Sequence, residues 1–432
     1  MKQKNINIGI IGIGQIGSRL YKEILSKKKD IKIKTGINLN ITAISAKKLN
    51  KKRSFKFKKN IFYKNPIEIA KNPNINIIFE LIGYSGGISK RVVETALKQG
   101  KHVITANKAL IAKNGDSLSL LAEKNKVNLE FEAAVGGGIP ILRTIKDGLS
   151  TNKIHKVVGI LNGTCNYILS EMESLKDSFP NVLKRAQQLG YAEPRNPKFD
   201  LNGYDTLDKV RILSALAFNK KISKNNCLMN GIEKIEFEDI EMAEKLGFRI
   251  KLLGITEIIK GKLFERVHPC LIKKNKYIAN INGVMNAVIL DGKPVGESVM
   301  QGEGAGPGPT SSALMSDLLS ILRGNIKYPF GIPFSKRKKV IYYNKNQHSN
   351  SMYLRFEVRD KPGVLSSITK IFAKNKISIK NLIQKPNKKS KKASIIIITH
   401  KNLEKNYNNL LSNLFKNKFI LTKPTYIRIE KV

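Results

Sequence analysis

The spacing of apolar and polar positions changes several times along the chain, and each change marks an element. Residues 6–11 are a short β-branched run, the composition of a strand. Residues 18–27 then carry Leu20, Ile24 and Leu25 in helical register, which predicts a helix with those three turned inward. Further strand-like runs fall at 41–45, 75–82, 102–105 and 127–132, with helical stretches at 89–99 and 117–125 between the later ones. That alternation predicts a largely parallel, doubly wound α/β sheet. From 139 to about 324 the pattern is mixed. Helical periodicity marks 142–149, 167–173, 182–189, 205–218, 240–246 and 311–322, and apolar strand-like runs mark 156–161, 250–257 and 264–272. An α+β domain is expected there. Residues 325–350 are basic and polar, contain Pro329 and Pro333, and read as a linker. The remainder runs strand 352–359, a turn at Asp360 to Gly363, helix 364–375, strands 378–384 and 393–400, helix 403–413 and strand 420–429. This βαββαβ order predicts a ferredoxin-like antiparallel sheet covered by helices on one face. The expected domains are therefore 1–138, 139–324, the linker 325–350, and 351–432, with a helix of about 304–324 packing back on the first domain.

The first strand ends in Gly12-Ile13-Gly14-Gln15-Ile16-Gly17. Glycines at this spacing let a backbone approach a pyrophosphate at the start of a helix, though a plain tight turn has the same residues. With a strand before it and a helix behind it, the motif predicts a Rossmann-type dinucleotide site. At the end of the second strand, where an acid would bind ribose hydroxyls, the chain reads Ser45-Ala46-Lys47-Lys48. A lysine there favours a 2′-phosphate, so NADP(H) is expected ahead of NAD(H). Residues 193–209 set Glu193 and Asp200 in a polar, turn-rich stretch and then open a helix with Asp205 and Lys209 one turn apart on one face. Such a group can hold a substrate amine and move a proton, and an ordinary surface ion pair has the same spacing. Gly302-Glu303-Gly304-Ala305-Gly306 supplies a second glycine-rich loop, near the cofactor or merely connecting.

Composition adds constraints. The 432 residues, 41% hydrophobic and 26% charged, suffice for two or three cored domains. Lys and Arg number 78 against 33 acids, a formal charge of +45 that raises the question of an anionic partner. The lysines are scattered along the whole chain, and the basic runs at 47–53, 273–276, 335–339 and 385–392 fall in predicted loops or helix edges without interleaved aromatics. No specific nucleic-acid partner is expected. Cys165, Cys227 and Cys270 fit neither a metal spacing nor a disulfide framework, which suits a reducing compartment. There is no signal-peptide pattern and no apolar stretch of bilayer length, so a cytoplasmic protein without membrane contact is expected.

The stretches GIIGIGQIG, FELIG, GKHVITANKALIAKNG, EAAVGGGIPI, GILNGTCNYIL, LGYAEP with DLNGYDTLDK, and GEGAG occur in this order. Together they resemble homoserine dehydrogenase in its long bacterial form with a C-terminal ACT domain. The resemblance implies NAD(P)-dependent interconversion of L-homoserine and L-aspartate 4-semialdehyde on the way to threonine, methionine and isoleucine. It implies Lys209 as catalytic lysine with Asp205 as its partner, and Lys108 as a second lysine reaching the reacting oxygen and the nicotinamide. Glu193, Asp200 and Asp205 would meet the amino-acid head group. Thr164 and Gly190 would line the cleft, and Thr105 and Gly304 would lie beside the cofactor. Glu132, Val135, Gly137 and Ile139 resemble a monovalent-cation site, sodium for example, made of one side chain and backbone carbonyls. The run from Arg359 to Leu365 resembles an ACT domain, with threonine as effector and Gly363 and Gln384 as its contacts. A homo-dimer or homo-tetramer is implied as well. Two rivals remain: a semialdehyde dehydrogenase acylated on a cysteine, for which only Cys165 lies near a motif, and a non-catalytic amino-acid sensor that binds nucleic acid.

Overall fold

A computed structural model describes residues 4–48, 55–224, 227–387 and 390–432; of the basic runs, residues 49–53 and 388–389 lie outside the described residues. Strands β1 (Lys4–Ile11), β2 (Ile37–Ser45), β3 (Phe62–Tyr63), β4 (Ile77–Glu80), β5 (His102–Thr105) and β6 (Leu129–Glu130) pair in the order β3-β2-β1-β4-β5-β6, always parallel. Strand order reverses between β1 and β4, and a crevice opens there at the carboxyl ends. The strands are apolar on both sides because both faces are covered. Ile8, Ile10, Phe79 and Ile104 pack with Leu20 and Ile24 of the Gln15–Ser26 helix and with Leu314 and Leu318 of the Pro307–Leu322 helix, which comes back from the far end of the next segment. On the other face Ile11, Ile78 and Val103 meet Val92, Ala96, Leu110 and Leu118 from helices Gly87–Lys98 and Lys108–Lys124. Leu25, expected inward, is half exposed. It stands about 140° around the helix from Leu20, outside the stripe that Leu20 and Ile24 share.

The second sheet contains β7 (Lys153–Ile160), β8 (Leu228–Met229), β9 (Phe248–Ile259), β10 (Lys262–Lys273), β11 (Met285–Lys293) and β12 (Gly296–Glu303), followed by β13 (Ser349–Arg359), β14 (Ile379–Asn387), β15 (Lys392–Thr399), β16 (Asn402–Leu403) and β17 (Thr425–Ile429). Its main path is β12-β11-β7-β9-β10-β17-β13-β15-β14. The C-terminal βαββαβ unit therefore continues the central sheet. Its last strand β17 pairs in parallel with β10 through Cys270↔Arg428 and Leu271↔Ile429. Alternation along β13 explains the joint: Met352, Leu354, Phe356 and Val358 enter the core with helices Val364–Lys374 and Glu404–Phe415. The opposite face presents Tyr353 and Arg355 to Asp239 of the Phe237–Lys245 helix, with Tyr353 Oη at 3.0 Å and Arg355 Nε at 2.6 Å.

The β11–β12 hairpin was not legible, because β12 carries Glu297, Ser298 and Gln301 and lacks an apolar alternation. The expected 142–149 helix is a short Ile141–Arg143 turn continued by a π-helical Thr144–Gly148. Residues 325–350 are anchored: Phe330 is buried, and the buried Arg337 lies 4.0 Å over its ring and 2.8 Å from Asp116. Thus one residue of the 335–339 run is interior, and Lys385 lies in β14, not in a loop. Among the described residues no helix is long and apolar enough to cross a membrane.

Candidate active site

The glycine turn sits at the crevice. Gly12 has φ +102°, and a Cβ on it would stand 2.5 Å from the Leu81 carbonyl oxygen, so only glycine fits. Gly17 packs too tightly beneath Gly12 for a side chain, while Gly14 faces open space. Gly14 also precedes the Gln15–Ser26 helix without a side-chain cap, leaving first-turn N–H groups, those of Gln15 and Ile16 included, for an anion. A cavity of about 920 Å³ begins at Gly12, Ile13 and Gly14 and ends among Lys47, Lys64 and Tyr84. Lys47 Nζ lies 5.9 Å from the Tyr84 ring centre. Lys64 was missed by sequence reasoning; the signal was its position directly after β3, the strand beside β2. Glycines that admit close approach and an uncapped helix start fit a dinucleotide, and the lysines stand at the far end of its cavity.

Lys108 is held by a buried polar cluster. Glu80, fully buried at the end of β4, accepts from Ile82 N (2.9 Å), Ser89 Oγ (2.5 Å), Thr105 Oγ1 (2.7 Å) and Asn107 Nδ2 (3.4 Å). The Thr105 hydroxyl is thus turned to Glu80. Asn107 caps the Lys108–Lys124 helix by accepting from Leu110 N at 3.1 Å, which sets Lys108 at its first position.

Lys108 and Lys209 converge on one carboxylate. Lys108 Nζ is 3.1 Å from Asp205 Oδ1, and Lys209 Nζ is 2.8 Å from Asp205 Oδ2. Asp205 and Lys209 are both buried, so this pair is not a surface ion pair. Lys209 also donates to the Leu161 carbonyl. Asn162, a residue the motif contained but sequence reasoning did not single out, donates from Nδ2 to Asp200 (2.8 Å) and to Asp205 (2.9 Å). Burial works to raise the Asp205 pKa, but Lys209 and Lys108 outweigh it and hold the carboxyl well below the usual carboxylate range. Asp205 in turn raises the Lys108 pKa against burial. Asp200 is pushed up, first by burial and then by Asp205. The result is a fixed anion at Asp205 flanked by two ammonium groups, with Asp200 beside it.

Cys165 lies in the first turn of the Gly163–Leu175 helix, which Asn162 caps, but its thiol is fully buried, donates to the Asp200 carbonyl at 3.3 Å, and is pushed far up in pKa by burial and then by Asp200. A buried neutral thiol is not the nucleophile an acylating dehydrogenase needs.

The remaining expected residues separate. Thr164 Oγ1 donates to the Tyr191 carbonyl, tying it to the segment after Gly190, which has φ +77°. Glu193 is exposed, and among the described residues its carboxylate has no hydrogen-bond or ion-pair partner. The Gly302 to Gly306 loop packs on the turn from Val135 to Ile139: a Cβ on Gly137 would stand 2.5 Å from the Gly304 carbonyl, and Gly138 N donates to Glu303 O at 2.9 Å. The Glu132 carboxylate accepts from Leu142 N (2.9 Å) and Arg143 N (2.8 Å), so an ion at this turn would rest chiefly on backbone carbonyls. Gly363, at φ +85°, opens the Val364–Lys374 helix, and Gln384 Nε2 donates to Asp360 at 3.0 Å on the same turn.

A glycine turn built for a dinucleotide, in a chain where Lys108 and Lys209 also meet on Asp205, defines the class of a nicotinamide-dinucleotide-dependent oxidoreductase. Comparison with known proteins narrows that class. Family models described as homoserine dehydrogenase, NAD binding domain, as homoserine dehydrogenase, and as ACT domain match residues 12–132, 140–319 and 352–418. The chain is similar to homoserine dehydrogenases of Neisseria gonorrhoeae (37% identity, 99% of each chain) and Helicobacter pylori (38% identity, 99% of this chain and all of the relative). Among solved structures, a homoserine dehydrogenase from Thiobacillus denitrificans superposes with a TM-score of 0.91 at 36% identity over 99% of both chains. The chain belongs to the homoserine dehydrogenase family.

Proposed function

We propose that this oxidoreductase interconverts L-homoserine and L-aspartate 4-semialdehyde, with Lys209 as the proton-transfer group. The observation that carries this reading is the shared carboxylate: Asp205 between Lys108 and Lys209. A bound nicotinamide supplies the hydride in reduction and receives it in oxidation. The chain's own groups do the rest. Lys209 gives a proton to the carbonyl oxygen of the semialdehyde, or takes it from the alcohol, and Asp205 keeps the ammonium in place. Lys108 stabilises negative charge on that oxygen. Asp200 and Asp205 offer carboxylates to the substrate ammonium, with Glu193 at the exposed rim and Thr164 and Gly190 along the cleft.

Lys47, Lys48 and Lys64 around the cavity support NADP(H) ahead of NAD(H). The turn from Val135 to Ile139 offers carbonyl oxygens to a monovalent cation such as sodium, and the Asp360 to Gly363 turn with Gln384 offers a site to threonine. Domains of 1–138, 139–324 and 351–432, a homo-dimer or homo-tetramer, and a cytoplasmic setting complete the reading. The test follows NADPH absorbance after addition of aspartate 4-semialdehyde, with NADH and threonine in parallel arms. Consumption of NADPH with a higher kcat/KM than NADH is expected, and Lys64→Ala should narrow that ratio. A folded protein that consumes neither cofactor overturns the reaction, and an unchanged ratio in Lys64→Ala removes the phosphate assignment.

A further inference from the structure

Lys251, on β9, is buried to 1% exposure, and among the described residues no carboxylate pairs with it. Its ammonium is surrounded by neutral oxygens instead: Ile281 O at 2.6 Å, Asn282 Oδ1 at 3.0 Å, Asn166 Oδ1 at 3.2 Å and Ser170 Oγ at 3.3 Å. Four neutral oxygens thus solvate a buried ammonium in place of water or a counter-charge. Burial pulls the Lys251 pKa down to about 8, and an apolar side chain of the same size would avoid that penalty, so core packing alone accounts poorly for a lysine here.

The cage leads towards the substrate side. Asn166 accepts from Lys251 with its oxygen and donates from Nδ2 to the carbonyls of Ile281 (3.1 Å), Gly283 (3.0 Å) and Met285 (3.1 Å). One turn earlier, at the cap of the same Gly163–Leu175 helix, stands Asn162, the residue bridging Asp200 and Asp205. Gly163 closes the joint, since a Cβ there would stand 2.7 Å from the Val284 carbonyl oxygen. The helix start is thus fixed to the 281–285 segment by close contact and by one ammonium.

We propose that Lys251 is a tethered monovalent cation, a positioning residue that fixes the helix start from which Asn162 aligns Asp200 and Asp205. This rests on the reading that those two carboxylates meet the substrate ammonium. The test uses full-length Lys251→Ala, which removes the equivalent of n-propylamine, with sodium held constant. KM for aspartate 4-semialdehyde should rise about tenfold, more than kcat falls, the cost of losing one anchoring hydrogen-bond system. Added n-propylammonium should restore KM, whereas tetramethylammonium at equal ionic strength, unable to donate hydrogen bonds, should not. A folded Lys251→Ala protein with parental KM, or a raised KM that n-propylammonium leaves unchanged, overturns the proposal. Should that variant fail to fold, Ser170→Ala, which removes one cage oxygen, should raise KM two- to threefold, roughly one weakened hydrogen bond; an unchanged KM there overturns it equally. Asp205→Asn separates the two levels: full activity in that variant removes the substrate reading itself, while an inactive Asp205→Asn beside a parental Lys251→Ala removes only the tethered cation.

Discussion

Asp205 has two oxygens and three cationic or amide donors, and the division among them decides what each neighbour can do. Oδ1 faces Lys108, while Oδ2 takes both Lys209 and Asn162. Removing Lys209 leaves the anion with Lys108 and Asn162, so the site should survive structurally while losing its proton-transfer group. Lys209→Met is expected to stay folded and to lose about 10²–10⁴ in kcat, read from steady-state NADPH oxidation. Parental turnover in that variant would move the role elsewhere. Cys165→Ser makes the opposite prediction. A buried thiol with no chemistry to perform should be replaceable with most of kcat retained, and abolished activity in a folded protein would restore the acylating mechanism.

Elements convert these residues into geometry. The crevice depends on the β1 turn passing directly beneath the Leu81 carbonyl, which is why Gly12 cannot carry a side chain. Gly12→Ala combines a positive-φ strain with that collision and should cost about 1–3 kcal/mol in urea denaturation, with a weaker NADPH affinity by fluorescence titration. A variant as stable as the parent with unchanged affinity would show that the turn can open. At the C-terminal unit the equivalent joint is Arg355 on β13 against the fully buried Asp239. Arg355→Ala strands a buried carboxylate and should cost about 3–5 kcal/mol in the same assay. A loss below about 1 kcal/mol would mean that Asp239 is satisfied by Tyr353 and its own helix.

For the whole molecule, the seam between β10 and the C-terminal strand is one source of acid sensitivity. His268 is fully buried, and burial followed by Arg428 lowers its pKa to about 3. Burial tends to raise Glu430, but Arg266 prevails and brings it to about 2. Both folded-state values lie below the ordinary ones of about 6.5 and 4.3. Their contributions are therefore complete above those ordinary values and decline as pH falls, His268 from about 6.5 towards 3 and Glu430 from about 4.3 towards 2. Asp200, Glu132 and Asp317, with raised pKa values, act in the opposite sense. The clean measurement is thus a difference: between pH 6.5 and 4, urea stability of the parent should fall relative to His268→Gln by about 1.4 kcal/mol per pH unit. Parallel curves would show that His268 titrates normally.

Local patterns in the sequence determined the parallel sheet, the glycine turn, the helix that carries Asp205 and Lys209 in one register, and the order of the C-terminal unit, because each depends on neighbours a few residues apart. Tertiary structure alone decided which distant groups meet. Lys108 reaches Asp205 across nearly a hundred residues, Asn162 joins Asp200 to Asp205, and Lys64 comes beside Lys47 only because β3 lies next to β2. Among the described residues it also left the Glu193 carboxylate without a partner, turned Thr105 to Glu80, and merged two expected sheets through β10 and β17. Periodicity reports which face of an element is buried, but not against what; the partner is chosen by chain topology and close packing, which no local spacing encodes.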